Sequence, residues 1–229
     1  MTNHMRVTLE IGPKGKKMVA VAPDWPGLSR GAKTGAEATE RLRSYLPRYS
    51  QVARLAGMGA EFDAIKDVDV VEEYPGTGST DFWGISFAFS SIDRQAMSAD
   101  ELERALMLLR ACWAFFDDVR GRVSAELRKG PRGGGRDRDR IVRHILANEQ
   151  DWAKGLGVVA SLVTADGPLP TDKELKAFRD AYCHGIRDYH SQGKTAGKWP
   201  LRYLIRHTAF HTIDHAWEME DKDLTGKEG

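Results

Sequence analysis

Three of the seven histidines in the chain, His207, His211 and His215, follow one another at a spacing of four residues in the segment RHTAFHTIDHAWEMED. Residues four apart lie on the same face of an α-helix. The face that carries His211 and His215 also carries Leu201 and Leu204, which must turn towards an apolar core. We therefore expect both imidazoles to point inward and to converge on one ion, as in H-x-x-x-H metal sites.

A third ligand should come from another helix, because one helix supplies only part of a coordination sphere. His144, in the segment IVRHILANEQDW, shares a helix face with Ile141 and Trp152 and is the best candidate. Three neutral imidazoles with one open position suit zinc, nickel or another divalent transition ion. The sequence thus predicts a metal site at His144, His211 and His215, against the alternative that these are hydrogen-bonded core histidines.

Polar side chains are expected beside this ion at Asn148, Asp151 and Glu218. Glu218 follows His215 by three residues, so it could orient a water molecule or act as a general base. We predict Glu218 and Asn148 as the catalytic residues. The alternative is that these groups only fix the tautomers of the ligating imidazoles, as partners of metal-bound histidines do. His207 lies one turn before His211 and is expected either to contact a ligand histidine or to form a wall of the pocket.

The first part of the chain reads as strands around one helix. RVTLEIG and KMVAVAP have the alternating pattern of strands, and Thr34 with Glu37 forms a capping box that should open a helix. Pro47 should end or kink that helix near Leu46. The segments DVDVVEEYP and DFWGISFAFSSI are both predicted as strands, the latter from the alternation of Trp83, Ile85, Phe87 and Phe89. Residues 1–95 should therefore form a small α+β domain.

From Ser98 onwards the apolar residues recur with the period of a helix. Capping boxes at Ser98 and Thr171 and a proline at Pro200 open three of four predicted amphipathic helices. The first carries an apolar stripe from Leu102 to Leu127, about eight turns at 3.6 residues each. Four such helices predict a four-helix bundle over residues 96–222, followed by a disordered tail over 223–229.

A basic, glycine-rich loop, RKGPRGGGRDRDR, separates the first two of these helices. Arg132, Arg136 and Arg138 could hold an anionic substrate. We favour a solvated connector, because Asp137 and Asp139 offset much of the positive charge.

The overall composition limits the class of protein. The chain has 34 Lys and Arg against 33 Asp and Glu, so its net charge of +1 gives no reason to expect nucleic acid. No apolar run approaches the length of about 20 residues that spans a bilayer, and the first residues lack the apolar core of a secretory signal. Cys112 and Cys183 fit buried, reduced thiols. We therefore expect a cytoplasmic protein with no membrane partner.

The segments RHTAFHTIDHAWEME and RHILANEQDW together resemble the DinB/YfiT family of metal-dependent enzymes, which are four-helix bundles. That family takes one metal histidine from its second helix and two, four residues apart, from its last. The resemblance implies His144, His211 and His215 as the ligands. Some members resemble transferases or isomerases that use mycothiol or bacillithiol, which implies a low-molecular-weight thiol as cosubstrate. Such bundles often pair, so a homodimer is one expected assembly.

The front segment MVAVAPDWPGLSRGAKTGAEATERLRSYL is similar to the HicB-like fold. In toxin–antitoxin systems such a domain binds a small toxin and is joined to a DNA-binding segment. This chain shows no helix-turn-helix or basic ribbon segment after it, so we expect this domain to pack against the bundle or to gate the substrate.

These observations predict an α+β protein with a C-terminal DinB/YfiT-like four-helix bundle behind a small HicB-like domain. The expected function is that of a divalent-metal-dependent enzyme acting on a small molecule, as a thiol-dependent transferase or isomerase. Hydrolysis by metal-activated water is the alternative reaction. The contrasting hypothesis is a non-enzymatic interaction protein whose HicB-like domain binds a partner.

Overall fold

The chain forms one four-stranded sheet with short helices, followed by long helices. The structure is a computed structural model that describes residues 4–130, 135–164 and 167–225. Within these ranges the fold is mixed α+β, as predicted. In chain order the elements are β1 (His4–Ile11), β2 (Met18–Val21), β3 (Ser29–Ala32), α1 (Gly35–Ser44), α2 (Leu46–Leu55), α3 (Gly59–Asp63), β4 (Asp67–Pro75), α4 (Gly78–Trp83), α5 (Ser91–Arg94), α6 (Ala99–Arg122), α7 (Arg138–Ala153), a 3₁₀ helix (Lys154–Leu156), α8 (Asp172–Ser191) and α9 (Leu201–Lys222).

The sheet has the strand order β3-β2-β1-β4. The pairs β1–β2 and β2–β3 are antiparallel, whereas β1 and β4 run parallel, with an irregularity in register after Val7. Helix α1 packs against β2 and β3. Val7 and Leu9 of β1 are buried as the alternating pattern predicts, but Glu10, which points to the opposite side of the strand, is fully buried too.

Local signals in the sequence set the limits of several helices. The Thr34 side chain accepts a hydrogen bond from the Glu37 amide at 3.2 Å and caps α1. Helix α1 ends at Ser44 and α2 starts at Leu46, with Pro47 in its first turn, so the predicted break is confirmed.

The strand predicted in DFWGISFAFSSI is wrong. Residues Gly78–Trp83 form α4, which opens at Thr77 and ends at Gly84, a glycine in the left-handed conformation with φ of 69°. The amides of Phe87 and Ala88 then donate to the carboxylate of Glu10 at 3.0 and 3.1 Å. These amides bind the Glu10 side chain instead of a neighbouring strand, so the segment with alternating aromatic residues does not form a strand.

The four predicted long helices are α6, α7, α8 and α9, and they pack against one another. Helix α9 contacts both α6 and α7. Helix α8 joins the group through Tyr182, whose hydroxyl lies 3.0 Å from Thr208 of α9 and whose ring packs edge-on against Trp113 of α6. The capping boxes at Ser98 and Thr171 are present with both of their hydrogen bonds. In the described ranges, every helix is too short or too polar to cross a membrane.

Helix α6 is shorter than predicted, because it ends at Arg122 although its apolar stripe continues to Leu127. The segment after it binds the carboxyl end of α9. The Ser124 amide donates to Asp223 at 2.8 Å, and the Arg128 amide donates to the Lys222 carbonyl at 2.8 Å. Asp223 opens the predicted tail, of which residues 226–229 lie outside the described part of the chain.

Polar contacts join the sheet to α9. The Glu10 carboxylate accepts from Ser86 at 2.6 Å, and Ser86 also accepts from Arg206 of α9 at 3.1 Å. Arg206 in turn donates twice to Asp93, with both distances 2.7 Å. The apolar core is continuous across the predicted domain limit at residue 95, since one cluster contains residues from β1, α1, α6 and α9.

Candidate metal centre

Helices α7 and α9 bring the three predicted ligands together. His144 comes from α7, and His211 and His215 come from successive turns of α9. One ring nitrogen from each histidine lies within 4.8 Å of the others. The ring centroids are 4.9 to 5.1 Å apart, and the planes of the rings are steeply inclined to one another. Three imidazoles that converge in this way have the donor set of a zinc or nickel site.

One pair of ring nitrogens tests whether a cation fits. His144 Nε2 and His211 Nε2 are 3.1 Å apart. Between two neutral imidazoles at most one hydrogen can occupy that contact, whereas a cation bound by both would satisfy the two lone pairs. In the part of the chain that the structure describes, the buried Nδ1 of His211 has no hydrogen-bond partner. The group is therefore incomplete as a hydrogen-bonded core cluster.

Burial keeps two of these rings neutral, as metal ligands must be. Burial, with help from the positive charge of Arg136, lowers the pKa of His144 to about 4. Burial and the neighbouring histidines lower the pKa of His211 to about 2. Both imidazoles therefore present lone pairs at neutral pH.

Glu218 contacts a ligand rather than the centre of the group. Its Oε2 lies 2.6 Å from His215 Nδ1, and its Oε1 accepts from Lys222. Chiefly through the hydrogen bond with His215, the pKa of Glu218 is lowered to about 2. A carboxylate on Nδ1 fixes the hydrogen there and leaves Nε2 free for an ion. The structure thus gives Glu218 the position of a partner of the ligand.

Asn148 also lies beside a ligand. Its Nδ2 donates to the His144 carbonyl at 2.7 Å and lies 3.4 Å from His144 Nδ1. Asp151, the third polar residue predicted beside the ion, is exposed and forms an ion pair with Lys154 at 2.9 Å. Asn148 is therefore close enough to help orient the His144 ring, whereas Asp151 faces solvent.

His207 stands in an aromatic wall next to the group. Its ring stacks on Tyr203 and lies 5.1 Å from Trp152, which in turn lies 5.3 Å from His211. Burial lowers the pKa of His207 to about 3. His207 therefore belongs to the buried aromatic surroundings of His211.

Sequence reasoning missed Glu149, a fully buried carboxyl group beside the site. It accepts from Trp113 Nε1 at 2.7 Å and from Thr212 Oγ1 at 3.1 Å, next to His211 in the chain. Burial raises the pKa of Glu149. The sequence did contain a sign of this residue. Glu149 lies four residues from both Ile145 and Ala153, which places its carboxyl group on the apolar face of α7.

The remaining histidines lie outside the group. His184 is exposed, and His190 Nε2 lies 2.8 Å from the Met97 carbonyl. His4 forms a second, solvent-exposed group with Asp67 and Asp69. Of the arginines predicted in the basic segment, Arg138 opens α7 and pairs with Asp139 at 2.9 Å, Arg136 contributes positive charge at His144, and Arg132 lies outside the described residues.

Comparison of the chain with protein-family models, with curated proteins and with solved structures finds no significant match. The resemblances to the DinB/YfiT family and to the HicB-like fold therefore stay predictions, and the function has to be argued from the site itself.

Proposed function

We propose that the chain is a metal-dependent enzyme that binds one divalent transition ion, zinc or nickel, through His144, His211 and His215. The observation that carries this proposal is the convergence of three imidazoles from two helices, with one nitrogen of each within 4.8 Å of the others. We also propose the DinB/YfiT-like bundle and the HicB-like front domain as its fold families. A reducing compartment such as the cytoplasm suits the unpaired, buried Cys112 and Cys183.

The substrate is proposed to be a small molecule, with a low-molecular-weight thiol as cosubstrate. A divalent ion supplies the charge that keeps a thiol or a water molecule deprotonated at neutral pH. The position of Glu218 favours the thiol-dependent reaction over hydrolysis by metal-bound water. Because that carboxylate is held by His215 and Lys222, it is a weak candidate for the base of a hydrolytic reaction. Its proposed role is to position the His215 ring, and Asn148 is proposed to orient His144.

The metal site is tested by elemental analysis of protein purified without a histidine tag or a chelator. The wild type should carry close to one zinc or nickel ion per chain, and His144→Ala and His211→Ala should carry almost none. His184→Ala is the matched control, because that histidine is 75 % exposed and stands outside the group. An unchanged metal content in both ligand variants, or no metal even after reconstitution, would refute the site.

The reaction is tested separately on the metal-loaded protein. We expect consumption of a low-molecular-weight thiol in the presence of an aromatic halide, and loss of that activity in His211→Ala. Hydrolysis of a nitrophenyl ester without thiol consumption would instead favour the hydrolase. A fully loaded site that performs neither reaction would count against an enzyme and support the interaction-protein hypothesis.

A further inference from the structure

A second feature, away from the three histidines, is a cleft beside strand β3. Its volume is about 390 Å³, and it is bordered by β3, by the end of α4 and by α9. Four cationic side chains and one carboxylate line it: Lys17, Arg30, Lys33, Arg41 and Asp214. The lining therefore carries a clear excess of positive charge, although the chain as a whole is almost neutral.

Most of this positive charge has no carboxylate partner. Arg30 lies 3.1 Å from Asp214. Lys17 and Arg41 donate instead to the main-chain carbonyls of Phe82 and Gly31, at 2.8 and 3.0 Å. Across the described ranges, no carboxylate oxygen lies within 4 Å of a side-chain nitrogen of Lys17, Lys33 or Arg41, although Asp81 accepts from the main-chain amide of Lys17 at 3.2 Å.

A cleft of similar size between α6 and α8 shows the usual alternative. It has a volume of about 400 Å³ and is also lined by four cations. There, each cation forms an ion pair with a carboxylate, and the pairs are Arg110–Asp180, Arg120–Asp172, Lys176–Asp180 and Arg179–Asp117. The cleft beside β3 differs because its charges are left available to a ligand.

Arg30 is the buried part of this cleft, since only 5 % of its side chain is exposed. Its guanidinium carbon lies 3.6 Å from the centre of the Tyr45 ring and 4.5 Å from that of Trp217, which hold the group in place. Nη1 is used by the Ser29 carbonyl and by Asp214. Within the described part of the chain, Nε and Nη2 have no partner, and neither does the buried hydroxyl of Ser29.

The unused edge of Arg30 is the one that binds oxyanions elsewhere in this chain. Arg6 and Arg206 each donate two hydrogen bonds, from Nε and Nη2, to one carboxylate, that of Asp24 and that of Asp93 respectively. Such a fork fits a carboxylate or a phosphate. A buried donor edge without an acceptor is unfavourable, so an oxyanion that reached Nε and Nη2 from the cleft would remove that cost.

The rim of the cleft is aromatic. Trp83 lines it with 62 % of its surface exposed, and its ring packs edge-on against Phe82, which is 70 % exposed. Together, these two exposed rings give the rim an apolar surface beside the cationic cleft. A flat apolar group attached to the anionic head would cover the ring of Trp83.

We propose that this cleft binds a small phosphate monoester that carries an aromatic ring, with the phosphate among Arg30, Lys33 and Arg41 and the ring on Trp83. A doubly charged head suits four cations and one carboxylate better than a single negative charge does. The proposal does not depend on the metal site, because none of the three histidines lines the cleft.

The test is calorimetric titration of the full chain with phenyl phosphate, with inorganic phosphate and with benzoate. Phenyl phosphate should bind with a stoichiometry of one and more tightly than the other two probes. The double variant Lys33→Gln with Arg41→Gln should weaken its binding by about tenfold or more, because it removes two charges that face the head. Trp83→Leu should weaken the binding of phenyl phosphate and leave that of inorganic phosphate unchanged.

Two further variants make the outcome specific. Lys66→Gln removes an exposed cation outside the cleft and should have no effect. His211→Ala should bind phenyl phosphate as the wild type does. Absence of binding, equal affinity for benzoate, an equal loss in Lys66→Gln, or a loss confined to His211→Ala would each overturn the proposal, the last because it would place the anion on the metal.

Discussion

The contact between Glu218 and His215 can be tested most directly through metal affinity. In Glu218→Gln the side chain keeps its size and can still accept the hydrogen bond from His215 Nδ1, but it loses its negative charge. The wild-type contact is short, at 2.6 Å, and both side chains are largely screened from solvent, with 16 % and 28 % exposed. The charge should therefore matter more here than in a surface pair.

The expected loss of metal affinity follows from the role of Glu218 as the hydrogen-bond partner of a ligating histidine. Removal of the group that orients a ligating histidine costs about 10- to 100-fold in metal affinity. Gln retains part of the hydrogen bond, and Lys222 already offsets part of the charge of Glu218. We therefore expect a loss of about 10- to 30-fold, which is about 1.4 to 2 kcal/mol of binding free energy.

The assay is a competition between the protein and a chromophoric chelator for zinc. Asp221→Asn is the matched control, because it removes a charge from the same end of α9 at a side chain that is 60 % exposed and pairs with Arg48. If Glu218 acts through His215, its substitution should have no further effect in a His215→Ala background. An unchanged affinity in Glu218→Gln, or the same loss with and without His215, would refute the reasoning.

Two further predictions concern stability. His207 has a pKa of about 3 in the folded chain against 6.5 for a free histidine, so the unfolded state takes up a proton first as the pH falls. Metal-free wild type should therefore lose about 2.5 kcal/mol more than His207→Gln between about pH 7 and about pH 4.5, measured by urea unfolding, and parallel pH profiles would contradict this. Asp93→Asn should destabilise the chain by about 3 to 5 kcal/mol, because it leaves the buried Arg206 without its counter-charge. Asp188→Asn, at a side chain that is 49 % exposed, should change the free energy of unfolding by less than about 0.5 kcal/mol, and a similar loss in both variants would refute the role of the buried pair.

The parts of the fold that could be predicted rest on neighbours in the chain. The capping boxes at Ser98 and Thr171 involve residues three apart, and the break at Pro47 involves the proline itself, so each is visible in the sequence. The pairing of His211 with His215 is equally local, because one helical turn determines it. His144 could be added because the apolar residues on its helix showed which face turns inward.

The features that could not be predicted depend on distant partners. The alternation of Trp83, Ile85, Phe87 and Phe89 is typical of a strand, but Glu10 binds the main chain of that segment from more than seventy positions away. The cleft around Arg30 is likewise assembled from β3, α4 and α9. Neither the local pattern nor the composition contains the relative positions of these elements.

The chain of contacts from Glu10 through Ser86 to Arg206 also has a consequence for the order of events during synthesis. Ser86 follows Glu10 by 76 residues, and Arg206 follows Ser86 by another 120. A ribosome therefore releases the first strand long before it makes the last helix. Since contacts between segments far apart in sequence form slowly, the polar contacts that link Glu10 to Arg206 through Ser86 can be completed only after α9 has emerged, later than the strand pairings within the first 75 residues.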